Sequence, residues 1–310
     1  MRRYQRELSV FAVWMLILAY LALVAPDFYS GSQVRGTLVG AAPILVVATG
    51  TTLVMLAGQI DISIGSIFSV CGVVTGLAVQ AGWPMCVAMT AALVCGGLIG
   101  AVNGALVAGL RLPAIVVTLA TLVAVRESLR YFREGEFVRN LTAGFQWFGL
   151  SQTAGQWTVI GIAAMFAVAA AWGLANLAGG RAIYATGSDP EAARLAGIRP
   201  QRVVFGVFVA SGILAGLASL LNAVRFADVD PNAGAGLEMQ AIAAVVVGGT
   251  AVSGGRGTMF GTTVGVLLLA TIAPALVFLK VQPQWERAIH GLIILAAVAA
   301  DRLIQRRERS

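Results

Sequence analysis

Long apolar runs separated by short polar stretches set the pattern of this chain. Ten runs approach or exceed the roughly 20 apolar residues that a helix needs to cross a bilayer. They cover residues 8–25, 38–57, 62–81, 83–110, 112–129, 156–178, 203–222, 239–254, 258–279 and 288–303. The pattern predicts an all-α fold: a polytopic membrane helix bundle of about ten spans, forming one transmembrane domain over 1–310. The 83–110 run is longer than one crossing requires, which predicts tilt or a part outside the lipid. The 112–129 run is short unless it continues past Arg126. The first run follows Arg2, Arg3 and Arg6, as a signal peptide would. Its length, and Pro26 directly after it, favour a retained anchor.

Composition agrees. Hydrophobic residues make up 58% of the chain and charged ones 11%, against roughly 25% charged in soluble domains. So few polar groups cannot cover a water-facing surface. A soluble enzyme, a disordered chain and a disulfide-rich secreted domain are excluded. The net charge of +7 is read through its placement. With the N-terminus inside, thirteen of the 21 Lys and Arg residues fall in inside segments and eight in outside ones. That bias predicts both termini in the cytoplasm; the run from Arg126 to Arg139 opposes it. The charge therefore speaks for membrane orientation and not for nucleic acid.

Several chemistries drop out. The only lysine, Lys280, follows Leu279, so no phosphate-binding Walker loop exists. The only histidine, His290, leaves no histidine zinc cluster and reads as a hydrogen-bonded helix residue. Cys71, Cys86 and Cys95 lie in apolar stretches without metal-ligand spacing and read as small core residues. No cofactor, metal or catalytic set is expected on this chain. Glycines four apart (Gly96, Gly100, Gly104; Gly212, Gly216; Gly257, Gly261, Gly265) predict close backbone packing of helices in lipid.

Three polar islands carry the candidate function. The first, 58–66, contains Gln59, Asp61 and Ser63. Asp61 reads either as a helix cap or as a functional carboxylate at membrane depth. The second, 248–258, contains Gly248, Gly249 and Gly255. It reads either as a wall of the transport path or as a compact turn between packed helices. The third is the long inside loop 179–202. Within it, Ser188 or Asp189 caps a short helix, Pro190 opens it, Glu191 complements its dipole, and Gly197 ends it after Ala192 and Ala193. Such a helix wants a partner or the headgroups; the alternative is a connector. Two outside segments, about 130–155 and 224–238, carry mixed charge. Asp228, Asp230 and Trp147, with Phe145 and Phe148 beside it, are candidates for docking a partner there. The aromatic residues also read as a membrane-interface belt.

Together these islands resemble the permease subunits of bacterial ABC sugar importers, the family of ribose, xylose, galactose, rhamnose and autoinducer-2 permeases. Residues 58–66, GQIDISIGS, are similar to the family's GGIDLSVGS signature. LPAIVVTLAT at 112–121 resembles its NPFIVTLGT segment. YATGSDPEAARLAGI at 184–198 resembles its cytoplasmic loop, and AIAAVVVGG at 241–249 its C-terminal signature. Arg133–Phe137 and Phe145–Leu150 look most like rhamnose permeases. The resemblance implies an inner-membrane, multi-pass protein that is not itself an enzyme. It implies a dimer with a second copy or a paralogue, two cytoplasmic ATP-binding cassettes and a periplasmic sugar-binding protein. The helix at 190–196, with Gly197 as its stop, is then the element that engages the ATPase. A secondary transporter is the competing reading, weakened because only Asp61 and His290 offer themselves as relay groups.

Overall fold

The computed structural model describes residues 5–142, 144–282, 285, 288–289 and 291–292. His290 and most of the tenth expected span, 288–303, lie outside the described residues. The described chain contains eleven α-helices. They are α1 (Gln5–Val24), α2 (Gly31–Leu56), α3 (Ile64–Gln80), α4 (Met85–Gly104), α5 (Ala114–Arg133) and α6 (Gln152–Asn176), then α7 (Ala178–Ser188), α8 (Pro190–Leu195), α9 (Pro200–Ala223), α10 (Leu237–Val247) and α11 (Met259–Phe278). A π turn, Ala105–Gly109, extends α4. Among the described residues the sole β-type pairing is an antiparallel bridge between Val138 and Val229.

The other nine expected runs each fall on a helix. Among the described residues six helices are long and apolar enough to cross a membrane: α1, α2, α4 with its π turn, α6, α9 and α11. The remaining three differ for physical reasons. α5 carries Arg126, Glu127, Arg130 and Arg133 in its second half. α3 has 17 residues and α10 only 11. At 1.5 Å per residue, α10 spans about 16 Å, half of a hydrocarbon core of about 30 Å. The chain before α10 covers the rest, folding back into the bundle so that Gly234 meets the first turns of α3. The Gly234 N–H donates to Ser69 Oγ at 3.1 Å.

α2, α9 and α11 are apolar all round and largely buried, while α1, α4 and α6 lie at the periphery. The outer helices expose Leu16, Leu98 and Val168, faces that only lipid or another apolar surface covers. α4 and α9 form the most extensive helix pair. Their glycines face each other: a Cβ on Gly212 would run into the Gly96 carbonyl, and a Cβ on Gly96 into the Gly212 carbonyl. In lipid, where apolar burial does not favour one helix partner over the bilayer, such backbone contact is the main source of association. The glycine spacing on α4 and α9 thus does what the sequence suggests. The third set is split: Gly261 and Gly265 pack α11 against α10, whereas Gly257 belongs to the turn before α11.

Gly212→Ala is expected to destabilise the detergent-solubilised protein by roughly 1–3 kcal/mol, the usual cost of overpacking. Gly161→Ala, on an open face of α6, should be neutral or slightly stabilising, because Ala suits a helix better. Thermal unfolding of both variants is the check. Equal melting temperatures would mean that α4 and α9 are not in backbone contact.

Candidate functional site

The three polar islands converge at one end of the bundle. α2 ends at Leu56, and the Leu56 carbonyl accepts the Gly255 N–H at 3.0 Å. A Cβ on Gly254 would stand 2.7 Å from Gly58 Cα and 2.8 Å from the Gly187 carbonyl. Tyr184 of α7 donates its hydroxyl to the Gly257 carbonyl at 2.8 Å. Three chain segments distant in sequence therefore touch backbone to backbone. Gly254 and Gly255 have φ of +87° and +70°, a region where L side chains are strained. Gly248 sits against the Gly261 backbone of α11, and the Gly249 N–H bonds to the Val246 carbonyl at 3.0 Å. The glycine island is thus a compact turn packed between helices.

The short helix α8 leaves this seam directly. Asp189 is its cap: Oδ1 accepts the N–H groups of Glu191 and Ala192 at 2.9 and 3.1 Å. Pro190 occupies the first turn, and Glu191 pairs with Arg194 at 2.5 Å. Gly197, at φ +82°, stops the helix, and the Ile198 N–H bonds to the Ala193 carbonyl at 3.0 Å. Cap, opening proline and stop all lie where the sequence places them. The face it turns outward is decided by the fold. Ala193 is buried inside its own chain, so it does not offer close approach to a partner. A six-residue helix leaning on the protein must turn one position per turn inward, and here that position is Ala193. The apolar residue turned outward is Leu195, 82% exposed.

A buried polar chain lies deeper in the bundle. Asp61 Oδ1 accepts the N–H and Oγ–H of Ser63 at 2.9 and 2.6 Å. Ser211, near the midpoint of α9, donates to Asp61 Oδ2 at 3.4 Å. Asn103 of α4 donates to Ser63 Oγ at 2.9 Å and accepts from Thr121 of α5 at 2.6 Å. Asp61, Ser63, Asn103 and Ser211 are all fully or almost fully buried. The network anchors the irregular stretch between α2 and α3 to three other helices, and it uses Asp61 much as a cap would. Gln59 stays half-buried at the edge of the break. The π turn follows Asn103 after one residue; such turns often mark functional positions in helices.

Glu238 forms the second buried carboxylate site. It lies in the first turn of α10, 6% exposed, against the first turn of α3, where a Cβ on Gly65 would strike it. Arg126 of α5 pairs with it at 3.5 Å. Both residues counted as outside charges in the sequence, yet they act inside the protein: Glu238 complements the N-terminus of its own helix, and Arg126 compensates it.

The end opposite α8 is closed by the two outside segments. Val138 and Val229 exchange both backbone hydrogen bonds at 3.0 Å. The Trp147 N–H bonds to the Val224 carbonyl at 2.7 Å. Phe145 is core, 1% exposed, and Trp147 and Phe148 are half-buried against it. These rings hold the outer cap together, so Phe145 is not a docking anchor. The aromatic residues that stand out at this end include Tyr131, Phe132, Phe137 and Phe226. Asp228 and Asp230 are half-buried and line a cavity.

Asn103, Thr121, Ser211, Leu195 and the Arg126–Glu238 pair went unread in the sequence. An Asn inside the glycine-rich apolar run 96–104 is the clearest signal that was available, since an unpaired amide in lipid is costly.

Comparisons with known proteins agree with this architecture. The family model described as "Branched-chain amino acid transport system / permease component" matches residues 34–298. The Autoinducer 2 import system permease protein LsrC of Enterobacter sp. (strain 638) is 36% identical over 298 residues, covering 96% of this chain and 86% of the relative. The protein of the same name from Escherichia coli (strain K12 / DH10B) is 36% identical over 291 residues, covering 92% and 85%. That from Photorhabdus laumondii is 33% identical over 302 residues, covering 96% and 89%. No solved structure matches the chain. The relatives support the ABC sugar-importer resemblance and do not support rhamnose in particular. With its apolar helices and this match over most of its length, the chain belongs to the branched-chain amino acid transport system/permease component family, as a multi-pass permease of an ABC importer in the bacterial inner membrane.

Proposed function

We propose that the chain imports autoinducer 2, driven by ATP hydrolysed on a separate subunit. The carrying observation is the identity of 36% across 96% of the chain to an autoinducer 2 import system permease. Rhamnose, favoured by two short segments, rests on less. A complete importer, with its ATPase and binding protein, should accumulate autoinducer 2 and do so only with a hydrolysis-competent ATPase. Uptake of L-rhamnose in preference to autoinducer 2 would overturn the substrate assignment.

The orientation follows from charge and from the position of α8. The start of α1 lies at the α8 end, where Thr258 donates to Glu7 at 2.8 Å. We assign that end to the cytoplasm, with about ten spans and both termini inside. The second permease of the dimer is a copy or a paralogue. Reporter fusions after Ala178 and after Arg309 are expected to read cytoplasmic; a periplasmic signal at either would reverse the assignment.

α8 is the coupling element. It is capped at both ends, rooted in the glycine seam, and presents Glu191, Ala192 and Leu195 outward. Gly187 and Ser188, immediately before it, touch the Leu56 and Gly254–Gly255 backbone. A push on α8 therefore reaches α2, α10 and α11 without passing through a flexible linker. The binding protein docks on the opposite cap, with Asp228 and Asp230 at the mouth of the cavity. Trp147 serves that cap from below.

Leu195→Glu is expected to insert and fold normally while losing at least about tenfold in ATPase co-purification and in transport. Gly197→Val should act likewise, because a β-branched residue tolerates φ near +82° poorly. If both variants retain wild-type transport and ATPase binding, α8 is a connector.

A further inference from the structure

A groove of about 670 Å³ lies at the α8 end, between the start of α1 and the last turns of α6, with the beginnings of α7 and α11 as its floor. Leu8, Ala171, Leu174, Met259 and Phe260 form its apolar walls. α1 and α6 both pack against α11, and among the described residues they scarcely touch each other. Both lie at the periphery of the bundle, so the gap between them faces the bilayer.

The depth of the groove is set by α6. That helix exposes Trp157 near its start and Trp172 near its end, the placement of aromatic residues at the two faces of a bilayer. Trp172 therefore marks the headgroup level at the α8 end. Asn176 lies one turn further out, its amide on the Trp172 carbonyl at 2.9 Å. The Arg181 guanidinium donates to the Asn176 carbonyl at 3.3 Å, which holds its charge at the rim of the groove, at the depth of lipid phosphates. Arg181 is exposed, and this bond uses one of its five N–H donors. Among the described residues no carboxylate pairs with it. The other charged residue of the groove, Glu7, is 4% exposed and accepts the Thr258 hydroxyl at 2.8 Å, so it is turned into the protein. The result is an apolar trough that ends in a cation at headgroup depth. A soluble anion would use only the rim, and an uncharged acyl chain only the trough. An amphiphile with an anionic head satisfies both, as basic pockets between spans do for acidic lipids.

We propose that this groove binds one anionic phospholipid, with its phosphate on Arg181 and the first part of an acyl chain between α1 and α6. The floor gives such a lipid a consequence. Tyr184 of α7 bonds there to the Gly257 carbonyl. Thr258 caps α11 through the Gly261 N–H at 3.1 Å and also holds Glu7 of α1. A bound lipid braces α1, α6, α7 and α11 around the seam in which α8 is rooted. The site asks nothing of the imported substrate and is tested apart from it.

The purified full chain, stripped of lipid in detergent, is titrated with phosphatidylglycerol or with phosphatidylcholine of the same acyl composition. Native mass spectrometry reads lipid occupancy, and thermal unfolding reads stability. The wild type is expected to prefer phosphatidylglycerol at least about fivefold, the scale of one basic residue beside an anionic lipid, and its melting temperature should rise with phosphatidylglycerol concentration. Arg181→Gln should lose the preference and Arg181→Lys keep most of it. Ala171→Trp, which fills the trough and leaves the cation in place, should lower the occupancy of both lipids; if it fails to fold, the two Arg181 variants decide alone. Arg202→Gln removes an exposed cation at the same end that does not line the groove, and should change neither readout. Three results would overturn the lipid site. One is a preference lost equally in Arg202→Gln, which means general attraction to a basic surface. Another is equal stabilisation by inorganic phosphate alone. The third is an Arg181→Gln variant that loses ATPase co-purification while its lipid preference is unchanged, which makes the groove a protein contact.

Discussion

A bilayer offers no water to an exposed backbone N–H or C=O, and every other feature of this bundle is arranged around that constraint. The chain breaks its helices twice at depth, before α3 and before α10. Each break carries its own compensation. Before α3, Asp61 accepts the free amide and hydroxyl of Ser63, and Asn103, Ser211 and Thr121 extend the network to α4, α9 and α5. Before α10, Ser69 accepts the Gly234 amide, and Glu238 complements the helix N-terminus with Arg126 as counter-charge. The two solutions meet, because Gly65 and Gly234 let the first turn of α3 touch the chain entering α10. A side chain at either glycine would push the breaks apart.

Two helix N-termini brought together concentrate partial positive charge, worth about half an elementary charge each. The two carboxylates nearest that point, Asp61 and Glu238, are thereby electrostatically required, and their burial needs no proton relay to explain it. A secondary transporter would also place carboxylates at the bundle centre. Here one of them is held by neutral donors and the other by Arg126, as expected of structural groups. Separating a buried pair typically costs about 3–5 kcal/mol. Arg126 is still 30% exposed and 3.5 Å away, so the cost here falls below that range, small enough for a transport cycle to overcome.

Legibility in the sequence followed the range of the physics. Helix positions were readable because long apolar runs mark them; nine runs landed on helices, six of them long and apolar enough to cross a membrane. The α8 cap, proline and stop were readable because Asp189, Pro190 and Gly197 act within one turn of one another. What α8 presents outward was not readable: six residues carry too little periodicity to distinguish Ala193 from Leu195, and only the fold decides which one leans inward. Asp61 could be noticed but not interpreted, since its partner Ser211 lies 150 positions away, and Asn103, which bonds to Ser63, lies 40 positions from that serine. Arg126 and Glu238 were misplaced by the charge count, which treats every charge in a polar stretch as facing water. Helix α10 was over-lengthened for the same reason: the apolar run continues past Val247 into a glycine turn that apolarity cannot distinguish from helix.

The two ends of the molecule divide rigidity and freedom between them. At the α8 end, contacts are backbone against backbone at Leu56, Gly58, Gly187 and Gly254–Gly255, so displacement there has no soft side chain to absorb it. Packed interiors transmit strain for the same reason that they tolerate no voids. At the opposite end, the cap is held by the Val138–Val229 bridge, the Trp147–Val224 backbone bond and the buried and half-buried rings of Phe145, Trp147 and Phe148. The short helices α3 and α10 join these regions. α10 runs from the Gly65–Gly234 contact straight into the glycine turn that grips Leu56 and Ser188. A shift of that turn must therefore move the N-terminus of α10, and with it Glu238, relative to α3 and Arg126. An 11-residue helix is too short to bend appreciably, so it links the seam beside α8 rigidly to the floor of the outer cavity. A full-length span in its place would be packed along the whole bundle and could not swing at one end alone.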